Sequence, residues 1–221
     1  MSLFDDLKRK LEYLKETKAK LKEKVGGADT DTFRELTDKV VKVSPERIEF
    51  EGTPEQDQIM TIWGDWAYCE YQGYQASKII MHDVESIYNG FARYNVWLES
   101  VDFGDKVKAI YYDAFGSCIN LVIDTIPDSV TEIGTVAFAG CEKIEKLTIS
   151  KNIETIWRRA FYDCTALTEV VFRGTPTEFD ETTFENCTAL TTIKAPWSEG
   201  AVSGAPWGAT NATITYDYTE G

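Results

Sequence analysis

The chain has 221 residues, 43% hydrophobic and 13% aromatic, which is enough for a substantial core and too apolar for a disordered segment. Its formal net charge of -14 comes from 23 basic and 37 acidic side chains, and so negative a surface repels phosphate backbones, so nucleic acid is not an expected partner. No run of about 20 apolar residues occurs, so no transmembrane helix is predicted.

The first 25 residues predict an amphipathic helix. Their apolar side chains recur at steps of three and four, the a/d pattern of a coiled coil, with Lys18 as the single polar member. An isolated helix of this length is marginal in water, so its apolar seam needs a partner. Self-association into a parallel dimer or trimer and packing within the chain both stay open. The seam consists of Phe4, Leu7, Leu11, Leu14, Leu21 and Val25.

A second, short helix is predicted after a glycine pair. Thr32 and Glu35 have the spacing of a capping box, and Pro45 marks the end of the helical part. We therefore expect an N-terminal helical segment over residues 1–44. Residues 45–221 then hold a repeat domain with degenerate first repeats and a C-terminal cap.

Aromatic side chains crowd a dozen positions before the repeats. Rigid rings supply contact area at low entropic cost, which favours a platform that binds a sugar or a protein. The same rings suit an N-terminal cap over the first repeat, and both interpretations stay open. The cluster consists of Trp63, Trp66, Tyr68, Tyr71 and Tyr74.

From residue 110 to residue 195 the sequence repeats with a period of 23 residues, and fainter copies extend back to about residue 75. Each clear unit carries an apolar anchor, a phenylalanine after a small residue, and a cysteine. A fixed period of this length is typical of a solenoid, in which each unit buries its apolar face only against its neighbours. The predicted structural ladder is Phe115, Phe138, Phe161, Phe184, Cys118, Cys141, Cys164 and Cys187.

Residues 146–149 alternate polar and apolar side chains, as a strand with one buried face does, and the alternation returns 23 residues later. Strands at equal intervals along a solenoid stack in parallel, about 4.7–4.9 Å apart. Asp124 falls on the inward position that Leu147 holds in the next unit. Because an unpaired carboxylate there would be costly, we expect a locally shifted strand or a hydrogen-bonded Asp124.

The repeated cysteines predict buried free thiols rather than disulfides. Parallel Cβ vectors on stacked coils stand about 4.8 Å apart, whereas a disulfide needs roughly 3.8 Å. The 23-residue spacing and a single histidine, His82, do not suit zinc. We predict no metal site and no cofactor. Cys69, outside the repeat, is also expected to be buried.

The pattern I-x-x-x-A-F-x-x-C-x-x-L-x-x-L-x-I, with Ile-Pro-Asp-Ser-Val at residues 126–130, resembles BspA-like leucine-rich repeats over roughly residues 75–195. The resemblance implies a curved solenoid whose surface recognises proteins or glycans, without catalysis. The predicted fold class is an α/β repeat: a leucine-rich-repeat solenoid with parallel strands and about 23 residues per repeat, preceded by N-terminal helices.

Both ends resemble minor structural, tail-associated proteins of phages that infect Gram-positive bacteria. The N-terminal resemblance lies in the helix, the glycine break and residues 31–36, and the C-terminal one in residues 195–214. Independently, a solenoid must cover its last open coil. Residues 196–221 therefore predict a cap in which Trp197 and Trp207 lie over the last rings.

No catalytic arrangement is visible. There is one histidine, and no G-x-S-x-G, phosphate-binding glycine loop or H-E-x-x-H occurs. Among 37 acidic residues carboxylate pairs arise by chance, whereas a glycosidase holds two at a defined separation. We predict a protein that is not an enzyme and has no catalytic residues; a carbohydrate-active enzyme is the remote alternative.

Positions that escape the repeat rule are the candidates for recognition, since varied residues on a constant frame are what a binding surface needs. Solvated filler is the alternative interpretation. Besides the aromatic cluster, the candidates are Tyr111, Tyr112, Trp157 and Arg158.

The predicted function is binding to a protein or glycan on a bacterial surface, by a phage- or prophage-derived structural protein. A bacterial cell-surface adhesin with BspA-like repeats is the alternative. No signal peptide is visible, but Met1-Ser2-Leu3 resembles a vector-derived start, so a native leader is not ruled out. The sequence therefore fits a virion-associated or a cell-surface location and does not choose between them.

Overall fold

The strands recur along the chain with the period seen in the sequence. The computed structural model describes residues 47–53, 56–63, 66–67 and 76–219. The predicted N-terminal helices and Cys69 lie outside the described residues. In chain order, the strands within these ranges are β1 (Arg47–Thr53), β2 (Gln56–Trp63), β3 (Trp66–Ala67), β4 (Ala76–His82), β5 (Ser86–Ile87), β6 (Ser100–Asp102), β7 (Ala109–Ile110), β8 (Glu132–Ile133), β9 (Lys146–Ile149), β10 (Thr155–Ile156), β11 (Glu169–Phe172), β12 (Glu178–Phe179), β13 (Thr192–Lys194) and β14 (Thr213–Thr215).

Neighbouring coils pair in parallel, one sequence period apart. Val170 of β11 lies opposite Leu147 of β9 on one side and Ile193 of β13 on the other. These three side chains are buried, while the residues between them along each strand are partly exposed. The predicted solenoid of parallel strands, with about 23 residues per turn, is confirmed.

Each coil contributes strands to two lines of sheet. The longer strands form two four-stranded sheets, ordered β1-β2-β4-β6 and β9-β11-β13-β14, and the two-residue strands form one sheet ordered β3-β5-β7-β8-β10-β12. Among the described strands only β1 and β2 pair antiparallel, as a hairpin at the N-terminal end. The strand predicted at residues 48–50 lies within β1.

Turns, not helices, follow the two-residue strands in residues 76–219. Within one such segment Asp113 and Ser117 have φ angles of 57° and 58°, and within another Arg159 and Asp163 have 55° and 58°. A left-handed residue every four positions interrupts a right-handed helix. The prediction of an α/β repeat is therefore wrong for this part, which is a β-solenoid.

The line of longer strands is interrupted between β6 and β9. By the repeat offset Asp124 would face inward like Leu147, but Asp124 is exposed and Ile123 is buried instead. In this part of the chain, Thr125 joins β9 through an isolated bridge to Thr148. The expected local shift of this strand is confirmed, and it leaves a gap in the sheet.

The earliest described repeats depart from the sequence alignment at one point. Ile80 of β4 lies opposite Asp102 of β6, so the predicted match of Ile80 with Phe103 is wrong by one residue. In the next strand pair Ile87 lies opposite Ile110, as the 23-residue step predicts. The later coil thus holds one extra residue between these two strands.

Four phenylalanine rings form a single column through the repeats. The centroids of Phe115, Phe138, Phe161 and Phe184 are 5.3, 5.4 and 5.7 Å apart, with interplanar angles of 10°, 4° and 18°. All four rings are fully buried. Their separations exceed the strand spacing of about 4.8 Å, so the rings are offset, which is the favourable stacking geometry.

The C-terminal residues cover the last coil. Trp207 is fully buried and stacks on Phe179 at 4.5 Å, while Trp197 lies 5.1 Å from Phe172 and 6.0 Å from Trp207. Strand β14 then pairs in parallel with β13. Both tryptophans thus lie over the last rings, as predicted.

Candidate recognition surface

Each cysteine of the repeat donates a hydrogen bond to the preceding coil. Cys141 Sγ lies 3.3 Å from the carbonyl oxygen of Phe115, and the other three thiols make the same bond at 3.0 to 3.3 Å, each 26 residues back. All four thiols are buried and free. They serve as small donors for backbone oxygens of the neighbouring coil. The four donors are Cys118, Cys141, Cys164 and Cys187.

Burial raises the pKa of the Cys118 thiol to about 12 and holds the pKa of Cys141 well above its ordinary value. Because the thiolate is the nucleophile, we expect the four repeat thiols to react with Ellman's reagent at pH 8 only when urea unfolds the chain. Absorbance at 412 nm would follow the reaction. A Cys69→Ser variant removes the remaining cysteine from the signal. Rapid titration of four thiols in the folded variant would contradict this expectation.

Aromatic side chains follow the two-residue strands on the outside. Tyr111 and Tyr112 follow β7, and Trp157 follows β10 at the position that corresponds to Tyr111. Tyr88, one coil before Tyr111, packs edge-on against it with 5.5 Å between centroids. Tyr112 is 50% exposed and Trp157 is 43% exposed. We call these four residues the aromatic strip.

A hydrogen bond to the neighbouring coil fixes Trp157. Its indole Nε1 donates to Oε1 of Glu132 at 2.8 Å, so the ring reaches back across the preceding coil. In that coil Gly134 contributes no side chain between Tyr111 and Trp157. A Cβ there would lie 2.6 Å from the carbonyl carbon of Tyr111, so only glycine permits this approach of the two coils. A ring held in advance loses less freedom on binding.

Two neighbouring arginines play different roles. Arg158 is exposed beside Trp157, where it adds a positive charge to the surface. Arg159 instead donates to both carboxylate oxygens of Glu185, at 2.7 and 3.2 Å, and so braces adjacent coils. Of the two, Arg158 belongs to the candidate binding surface, as its place in the sequence predicts.

The aromatic cluster before the repeats is only partly described. Trp63 ends β2 and Trp66 begins β3, and these strands pair in parallel with β4 and β5. The backbone of both residues is therefore part of a coil at the N-terminal end of the solenoid. Tyr68, Tyr71 and Tyr74 lie outside the described residues. Whether the cluster binds a ligand stays a prediction.

A second group of exposed apolar side chains is not predicted by the motifs. Val96, Trp97 and Val122 are 41%, 57% and 55% exposed. They precede the longer-strand positions of two adjacent coils, close to the gap in the sheet. We call these three residues the apolar patch. The signal that would have found them is a comparison of each position with its counterparts one period away, which are polar.

Two structural features of other protein classes were sought in the described ranges. No group of three or more His, Cys, Asp or Glu side chains in those ranges is placed to hold a metal ion. No described segment forms a helix that could cross a bilayer.

Comparison with known proteins identifies the repeat. The sequence profile described as the BspA type leucine rich repeat region matches residues 85–202 in 6 copies. The match begins about ten residues later than the sequence resemblance predicts and reaches into the cap. No curated protein matches the chain.

Two solved structures share the fold. A leucine-rich repeat protein of T. pallidum, TpLRR, aligns with a TM-score of 0.51 and 18% identity, over 77% of this chain and 79% of that one. The pneumococcal vaccine antigen PcpA aligns with a TM-score of 0.60 and 16% identity, over 77% of this chain and 44% of that one. At such identities the likeness concerns the fold alone.

Proposed function

Because this chain belongs to the BspA-type leucine-rich repeat family, we propose that it is a non-enzymatic protein that binds a protein or glycan on a bacterial surface. One observation carries the proposal. The buried columns are the same from coil to coil, whereas the outward residues beside them vary and include the exposed rings of Tyr112 and Trp157. A constant frame with a varied exterior is the arrangement of a recognition protein.

The aromatic strip and Arg158 have the chemistry of a binding site. Tryptophan, tyrosine and arginine dominate the energetically important positions of interfaces. The bond from Trp157 to Glu132 fixes one ring, and the edge contact of Tyr111 with Tyr88 supports another. Polar side chains at the same edge can bond to sugar hydroxyls or to a peptide backbone.

Replacing Trp157 or Tyr112 by alanine should weaken binding by roughly tenfold or more, since exposed aromatic anchors contribute about 1–2 kcal/mol or more when truncated. The measurement is binding of labelled protein to whole bacterial cells and to a glycan array. Thr210→Ala, an exposed change in the C-terminal cap, is the control and should bind like the wild type. Equal binding by all variants would assign recognition to another surface.

Two settings for this binding are proposed. The fold shared with the pneumococcal vaccine antigen PcpA supports a cell-surface adhesin. The resemblance of both ends to minor structural proteins of phages supports a virion-associated protein instead. The native gene separates them. A secretion leader or wall anchor would sink the phage setting, and neighbouring tail genes would support it.

We further propose that the N-terminal apolar seam makes the chain self-associate. Light scattering should give a dimeric or trimeric mass for the full chain and a monomeric mass for a chain that starts at Pro45, because only the full chain carries the a/d seam. Equal monomeric masses would rule out the seam as an oligomeriser. The seam residues are Phe4, Leu7, Leu11, Leu14, Leu21 and Val25.

A further inference from the structure

The apolar patch accounts for half of the six large hydrophobic side chains exposed in the described part of the chain. Two of the other three, Tyr112 and Trp157, belong to the aromatic strip. The third, Tyr94, lies under the guanidinium of Arg93 at 4.5 Å. The patch therefore stands apart from the strip as a separate concentration of exposed apolar surface.

Hydrogen bonds hold the patch residues of two coils side by side. Asn120 Nδ2 donates to the carbonyl oxygen of Val96 at 2.7 Å, and the amide of Val122 donates to the carbonyl oxygen of Glu99 at 2.9 Å. The amide of Trp97 is also bonded, to the side chain of Asn95 at 3.1 Å. The patch is thus built on a fixed backbone.

The fold does not require apolar side chains at these positions. One or more periods later, the position of Val96 holds threonine, that of Trp97 holds asparagine and lysine, and that of Val122 holds glutamate and threonine. Those coils stack equally well. Exposed apolar groups that the core does not need point to an interaction. The polar counterparts are Thr165, Thr188, Asn120, Lys143, Glu145, Thr168 and Thr191.

The gap in the sheet places a depression beside the patch. Where the chain leaves the strand line, an open depression of about 340 Å³ forms between two coils. An enclosed small-molecule site buries about 70–90% of its ligand, and an open depression of this kind does not. It suits an anchor side chain from a larger partner. Its lining residues are Val122, Ile123, Asp124, Lys143, Glu145 and Lys146.

The surroundings of the patch are predominantly acidic. Four exposed carboxylates face two exposed lysines there, and one of these, Lys146, lies 3.7 Å from Glu169. The whole chain carries a formal charge of -14. Such a surface attracts cationic partners and repels anionic ones. The carboxylates are those of Glu99, Asp124, Glu142 and Glu145.

We propose that the apolar patch docks a protein segment that presents apolar side chains flanked by lysine or arginine. The apolar side chains cover Val96, Trp97 and Val122, one of them enters the depression, and the basic side chains meet the surrounding carboxylates. This site does not depend on the aromatic strip and takes a different partner.

The test uses two fluorescent peptides with one leucine- and tryptophan-containing centre, flanked by lysines in one and by glutamates in the other. Anisotropy with the full chain should show the lysine peptide binding roughly tenfold or more tightly than the glutamate peptide, with the difference shrinking at high salt. The triple variant Val96→Thr, Trp97→Asn, Val122→Thr uses residues that the repeat itself carries there, so it preserves the fold. It should lose roughly tenfold or more of the binding.

Trp157→Ala is the matched control, because it removes an exposed tryptophan elsewhere and should leave peptide binding unchanged. Equal affinity for the two peptides would overturn the proposed partner chemistry. Unchanged binding by the triple variant would overturn the site. Light scattering gives one more outcome: a mass that falls to the monomer in the triple variant would make the patch an interface between copies and overturn the proposal.

Discussion

Replacing Phe138 by alanine should lower the free energy of unfolding by about 3–5 kcal/mol. The ring is fully buried and stacked on both sides, at 5.3 and 5.4 Å. Its removal leaves a cavity that the neighbouring rings cannot close, because backbone bonds fix their coils: the amide of Phe115 donates to Ala137 at 2.8 Å, and that of Phe138 to Ala160 at 2.8 Å. Urea unfolding followed by circular dichroism measures the loss.

The matched control for this change is Tyr112→Ala. It also removes an aromatic ring, but one that is half exposed, so we expect a loss within about 0.5 kcal/mol. Phe138→Leu keeps more of the volume and should fall between the two. A loss below about 1 kcal/mol for Phe138→Ala would show that the column does not hold the coils together.

Replacing Trp207 by alanine should cost about 3–5 kcal/mol and loosen the C-terminal coil first. The indole stacks on Phe179 at 4.5 Å, and its Nε1 donates to the carbonyl oxygen of Ser203 at 2.8 Å. Without the indole, Phe179 meets water. Since a coil contacts only its neighbours, hydrogen exchange should accelerate most in β12 and β13 and least in β7 and β8.

Trp157→Ala separates the loss of the cap from the loss of any tryptophan. Trp157 is 43% exposed, so this variant should lose far less stability than Trp207→Ala and keep protection in β12 and β13. Uniform acceleration of exchange along the solenoid in Trp207→Ala would show that the coils unfold as one unit instead.

Features that repeat with the period could be predicted from the sequence. The phenylalanine column, the buried thiols and the strand pairs all follow from equal coil length, because equal spacing places like side chains on top of one another. Even the irregularity at Asp124 was predictable, since burying a lone carboxylate costs more than shifting a strand. The cap follows from the need to cover Phe172 and Phe179.

Features that depend on backbone dihedrals or on single insertions were not predictable. The turns were expected to be part of an α/β repeat because alanine and phenylalanine suit helices, and left-handed residues such as Val136, with φ of 52°, carry no sequence signal. The extra residue that pairs Ile80 with Asp102 is equally silent. The apolar patch escaped because Val96 and Val122 resemble ordinary repeat residues until their exposure is known.

The way the cap joins the last coil has a consequence for how this gene can change. Phe184 donates its amide to Trp207 at 2.8 Å, the same bond that Phe138 makes to Ala160 in the next coil. The terminal plug therefore fits any coil that ends in this way. Recombination can add or delete whole units without remaking either end. Copy number thus sets how many rows of outward residues the protein displays.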